Sequence, residues 1–309
     1  MGTELERRGV DVSLPLWSAR ALLTAPQTIY QIHADYIRAG AVILTANTFR
    51  THRRNLAAAG LGARAQELTA QAVAIARQAA QDIAGHKTIC VAGSLAPLAD
   101  CYSPHQTPPD NECRQEHAEM AQHLAQAGVD VILIETMNTI REAYLAAQAA
   151  RATSLPTLVS FVCRSDGRLF SGETVTAAVT AVAALDVDGV LINCTPAVTI
   201  HQPFAELCTA ARALNRPLLT GVYANVGYTT TIPEWTLTAE VSPEDYARLA
   251  ANWLALGAAI VGACCGATPA HIAAVHAMML SATSPTSTAP SLPSPRGECS
   301  CCSLSPEAR

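Results

Sequence analysis

Apolar, β-branched runs of five to seven residues alternate along most of the chain with longer Ala-rich stretches whose apolar positions recur at helical spacing, and short polar turns separate the two. The runs Ala41–Ala46, Thr88–Ser94, Val129–Glu135, Thr157–Cys163, Gly189–Asn193, Pro217–Tyr223 and Ala258–Ala263 read as strands. Helical periodicity predicts helices near residues 27–39, 63–84, 112–127, 140–153, 174–184, 200–214, 243–256 and 269–280. Strands alternating with helices imply a parallel sheet. Eight such units in about 280 residues favour an α/β fold of the (β/α)8 TIM-barrel type over a doubly wound open sheet. Seven strands against eight helices predict that the first strand of the barrel is missing. No Gly-x-Gly-x-x-Gly follows a strand, which weighs against dinucleotide binding. In such barrels the chemistry sits at the carboxyl ends of the strands. Here those ends are polar: Thr45-Ala-Asn47-Thr48, Ser94, Glu135-Thr136, Cys163, Asn193-Cys194, Tyr223-Ala-Asn225 and Cys264-Cys265.

Composition narrows the function classes. Half of the 309 residues are hydrophobic, only 5% are aromatic, and the formal net charge of −5 is spread over mixed signs. The one local basic cluster, Arg50, Arg53, Arg54 and Arg64, lacks interleaved aromatic residues, so it reads as a solvated face and nucleic acid is not an expected partner. No uninterrupted apolar run reaches the roughly 18 residues of a membrane span, and the charged start Met-Gly-Thr-Glu-Leu-Glu-Arg-Arg is unlike a signal peptide. A cytoplasmic protein is expected. In that reducing setting the 11 cysteines are read as buried residues or metal ligands rather than disulfides. Cys90, Cys163 and Cys208 lie in apolar contexts that predict core positions, and Cys101 and Cys113 have no paired ligand spacing. From about residue 281 to 309 the chain turns to Ser, Thr, Pro and Cys, ending Glu298-Cys-Ser-Cys-Cys302, and is expected to be a disordered tail.

Three cysteines stand apart. Cys264 and Cys265 close an apolar run between Gly262 and Gly266, where the chain has freedom to bend and turn both side chains to one ion. Cys194 ends another predicted strand. If the two strands are two positions apart around a barrel rim, all three thiols converge on a Zn2+ site with one open tetrahedral position. Three soft thiolates offset much of the charge of zinc, so the open position suits a substrate thiol better than an activated water. A bound thiol would be held as the nucleophilic thiolate at neutral pH.

These residues, with Leu16-Trp-Ser-Ala19, Thr45-Ala-Asn-Thr-Phe49, Asp130-Val-Ile-Leu-Ile-Glu-Thr136, Asp166-Gly167, Asn193-Cys194, Tyr223-Ala-Asn225 and Gly262-Ala-Cys-Cys-Gly266 in the same order, make residues 1 to about 280 resemble the zinc-dependent homocysteine S-methyltransferases. The resemblance implies methyl transfer from a sulfonium donor such as S-methylmethionine to the thiolate of homocysteine, giving methionine. It implies Cys194, Cys264 and Cys265 as the metal ligands and Glu135 as the carboxylate that holds the homocysteine ammonium. Asn47 and Asn225 match positions near the bound substrate, although either could instead satisfy loop backbone. Thr268-Pro269 reads as the start of a helix whose N–H groups face the site and could receive the substrate carboxylate, with His271 in a supporting role. Family members carry an Asp-Gly-Gly strand before the segment that opens this sequence, which leaves a truncated barrel as the expectation here. The alternatives are a barrel that binds zinc and thiol without catalysis, a betaine-dependent enzyme, and a redox pair at Cys264-Cys265.

Overall fold

In the computed structural model, residues 1–227 and 241–283 are described. Seven strands pair in chain order into one parallel sheet: β1 (Ile43–Thr45), β2 (Cys90–Leu95), β3 (Val131–Met137), β4 (Thr157–Phe161), β5 (Gly189–Pro196), β6 (Leu219–Asn225) and β7 (Ile260–Ala263). The helices are α1 (Gly2–Arg7), α2 (Arg20–Thr24), α3 (Pro26–Arg38), α4 (Arg53–Ala57), α5 (Ala65–Ile83), α6 (Asp110–Ala127), α7 (Ile140–Arg151), α8 (Val175–Ala183), α9 (His201–Arg212), α10 (Pro243–Leu256) and α11 (Pro269–Thr283). Every strand and long helix expected from periodicity is present. The short helices α1, α2 and α4 were not expected, because five or six residues carry too few turns to show a period. Helix α11 runs three residues into the segment assigned to the tail, and the rest of that tail lies outside the described residues.

Local chemistry sets the helix ends. Thr139, Thr174 and Ser242 accept the N–H of Glu142, Ala177 and Asp245 and so cap α7, α8 and α10. The basic cluster is largely paired: Arg53 bonds Glu119, and Arg54 bonds Glu112 and Glu116, joining α4 to α6 across the surface.

The sheet separates two cores by strand alternation. Ile132, Ile134, Val159, Phe161, Val190, Ile192 and Val222 point towards the helices and join the main core. Their neighbours Ala92, Val131, Leu133, Leu158 and Leu191 form a second cluster on the other face. The sheet is curled around that face. Tyr223 on β6 donates to Glu135 on β3 at 3.1 Å, whereas three flat inter-strand steps would separate the two backbones by about 14 Å. Among the described residues, no helix is long and apolar enough to cross a membrane.

Candidate metal and substrate site

Continuing the same alternation towards the carboxyl ends replaces apolar side chains by polar ones. Ala92 is followed two residues on by Ser94, Leu133 by Glu135, Leu158 by Ser160, and Leu191 by Asn193. These four side chains are buried and bonded to one another across the strands. Ser94 donates to Glu135 Oε1, and Ser160 Oγ donates to Asn193 Oδ1 at 2.7 Å. Asn193 also accepts the Thr136 N–H at 3.0 Å and donates to Thr136 Oγ1 at 2.8 Å. A polar rim therefore sits on an apolar floor.

Two strand ends break their register at this rim: β3 against β4 after Ile134, and β5 against β6 after Asn193. Each break holds a non-glycine residue in the left-handed region, Thr136 at φ 62° and Cys194 at φ 49°. Backbone of this kind is costly for an L residue and clusters at functional sites. Here it re-aims Cys194, whose sulfur lies 2.6 Å from that of Cys264. Cys264 and Cys265 follow β7, with their sulfurs 4.0 Å apart, and Gly266 turns the chain away at φ 80°. Strand β6 lies between the two cysteine-bearing strands, as expected for positions two apart on a rim.

All three sulfurs lie within 4.8 Å of one another, and none is in a disulfide. Two ligands on a tetrahedral ion with bonds of about 2.3 Å are about 3.8 Å apart; the Cys264–Cys265 spacing is close to this, whereas the Cys194 and Cys264 sulfurs, at 2.6 Å, would have to move apart to hold an ion. The donor set fits a soft or borderline divalent cation. Asn225 holds both halves of the set: its Nδ2 donates to the Cys194 carbonyl at 2.9 Å, and its Oδ1 accepts the Cys265 N–H at 3.0 Å. Helix α1 braces the loop from outside, with Arg7 on the Gly266 carbonyl and Thr3 Oγ1 on its N–H, both at 3.1 Å.

Crowding governs the charges. Hydrogen bonds from Cys194 and Cys264 pull the Cys265 thiol well below its ordinary value, whereas the same contacts push Cys194 well above its own. Glu135 rises from its ordinary 4.5 to about 7, chiefly because it is buried and secondarily because of negative charge at Cys264. Its hydroxyl donors Ser94 and Tyr223 only partly offset this.

The family model described as homocysteine S-methyltransferase matches residues 1–279. The chain belongs to that family. It is 31% identical over 294 residues to a homocysteine S-methyltransferase of Escherichia coli (strain K12), covering 90% of this chain and 92% of the relative. It is 30% identical over 307 residues to a selenocysteine Se-methyltransferase of Brassica oleracea var. italica, covering 91% and 87%. The metallated form of the homocysteine methyltransferase MmuM from E. coli is similar in structure, with a TM-score of 0.77 at 29% identity over 90% of this chain and 93% of that one. This member of the family is a methyltransferase.

The structure brings the sequence-derived residues together unequally. Cys194, Cys264 and Cys265 converge, and Glu135 lies on the same rim. Asn225 engages the backbone of Cys194 and Cys265, and Asn47 Nδ2 donates to the Ser18 carbonyl at 2.8 Å, so both are bonded to backbone. The Thr268 N–H is taken by His271 Nδ1 at 3.1 Å, which removes it as a donor to a substrate carboxylate. Asn193 escaped the sequence reading as a linking residue, although its i+2 spacing from Leu191 was the available signal.

Two outcomes are expected. Asn225→Ala should weaken metal binding by roughly 10- to 100-fold in chelator competition while far-UV circular dichroism stays native, and unaltered affinity would show that the amide is dispensable. In the metal-free protein, Glu135 has a folded pKa above its unfolded one. Its contribution to stability is therefore present below about 4.5 and lost as pH rises through about 7. Urea unfolding should show Glu135→Gln gaining stability relative to the parent between pH 5 and 8, by up to about 3 kcal/mol. A pH-independent difference would contradict the burial argument.

Proposed function

We propose that the chain transfers a methyl group from a sulfonium donor, S-methylmethionine, to the thiol of L-homocysteine, with Zn2+ held by Cys194, Cys264 and Cys265. The observation that carries this reading is three convergent thiols beside a buried carboxylate on one rim. When bound, the zinc lowers the pKa of a coordinated thiol and keeps it a nucleophile at neutral pH.

The protein supplies position. Glu135, anchored by Ser94 and Tyr223, accepts the substrate ammonium, and the new cation stabilises the carboxylate that burial disfavours. That fixes one end of homocysteine while its sulfur points to the cysteines, so the acceptor is oriented before the donor arrives. The acceptor, having released its thiol proton to solvent, uses a sulfur lone pair to form a bond to the methyl carbon as the bond from that carbon to the sulfonium sulfur breaks. The electron pair returns to the donor sulfur, leaving a neutral thioether and yielding methionine. The reading includes a barrel of the (β/α)8 type across residues 1–280 that lacks its first strand, with seven strands among the described residues, and a cytoplasmic, small-molecule enzyme. The Se-methyltransferase relative makes selenocysteine a second acceptor to assay, since a selenolate suits the same soft site.

The test is methionine formation from homocysteine with S-methylmethionine and, separately, with betaine. Turnover with the sulfonium alone is expected, and turnover with neither would overturn the catalytic reading. Glu135→Gln should raise KM for homocysteine by roughly 10- to 100-fold, the range of one charge-assisted hydrogen bond, with a smaller change in kcat.

A further inference from the structure

A second group of metal-ligand atoms lies away from the strand-end rim. Cys113 and His117 are four residues apart on α6 and so share one helix face, and Glu142 faces them from the first turn of α7. Spacing along the sequence hides this group, because its third member comes from another helix 25 residues beyond His117. Cys113 and His117 are completely buried and Glu142 is 1% exposed. One ligand atom from each lies within 4.8 Å of the others.

The geometry and the charges both suit a cation. His117 Nε2 and Glu142 Oε1 are 3.2 Å apart. An ion about 2.1 Å from each would see them at an angle of about 100°, near tetrahedral. Glu142 is a buried carboxylate whose polar partners are the Leu98 N–H, the Thr107 hydroxyl and the His117 ring, and among the described residues no Arg or Lys pairs with it. A thiolate and a carboxylate around one divalent ion form a neutral set, the arrangement that low-dielectric surroundings tolerate best. His117 Nδ1 is buried with no hydrogen-bond partner, as is His52 Nε2. Metal binding at Nε2 would fix the His117 proton on Nδ1.

We propose that Cys113, His117 and Glu142 form a second, structural metal site for Zn2+ or a similar borderline cation. Glu142 already holds the loop between β2 and α6 at Leu98 and Thr107, at 2.8 and 3.3 Å. That loop carries Tyr102, whose ring packs edge-on against Phe170. A cation on Glu142 ties α6, α7 and this loop into one unit.

The test is a titration of the metal-stripped full chain with Zn2+ or Co2+ alone, in a background where the tail cysteines Cys299, Cys301 and Cys302 are serine. Two equivalents per chain are expected, falling to one in Cys113→Ser or His117→Gln, with the remaining equivalent reporting that the cysteine trio is intact. The reciprocal variant, with Cys194, Cys264 and Cys265 all changed to serine, should keep one equivalent and lose it when Cys113→Ser is added. A single equivalent in the parent chain, abolished in the reciprocal variant, would overturn the proposal and leave a hydrogen-bonded His–Glu pair.

Discussion

One planar amide couples the end of β5 to the loop that follows β7. Asn225 grips the Cys194 carbonyl with one end and the Cys265 N–H with the other, so the separation of the two cysteine backbones is fixed by a rigid group. The left-handed turn at Cys194 is the other half of the constraint. Such a conformation costs on the order of 1–3 kcal/mol and persists only when its surroundings over-determine it. Asn193, bonded to β3 and β4, and Asn225, bonded beyond β6, provide that determination on both sides of the residue.

The inner face of the curled sheet explains why this polar apparatus can be buried. Ala92, Val131, Leu133, Leu158 and Leu191 form an apolar floor. Above it, each polar side chain from Ser94 to Asn193 finds a partner on a neighbouring strand, so desolvation is largely met by hydrogen bonds. Two sets of charges remain unbalanced: the crowded thiols and the Glu135 carboxylate. Both would be relieved by positive charge, a metal cation for one and an ammonium for the other.

Much of this was legible in the sequence. Continuous apolar runs such as Val131–Ile134, each followed by an Ala-rich stretch of helical period, point to parallel strands buried on both faces, and the strand ends point to Glu135, Cys194, Cys264 and Cys265 without coordinates. The rest depends on distances between segments that periodicity does not encode. The resemblance placed Asn225 near substrate, and only the fold shows its amide engaged with two backbones. The bulge at Cys194 is silent because no glycine marks it. His117 and Glu142 meet across two helices and carry no local motif. Strand ends are readable because alternation reaches them, whereas loop clamps and inter-helix clusters are set by packing alone.

X-ray absorption at the zinc edge bears most directly on the convergence of the three thiols. It should be read on protein carrying Cys113→Ser and serine at Cys299, Cys301 and Cys302, so that only the trio contributes sulfur. Three sulfur neighbours at about 2.3 Å with one lighter atom are expected without substrate, and four sulfurs once homocysteine is added. Fewer than three sulfurs, or a shell that homocysteine leaves unchanged, would contradict the account.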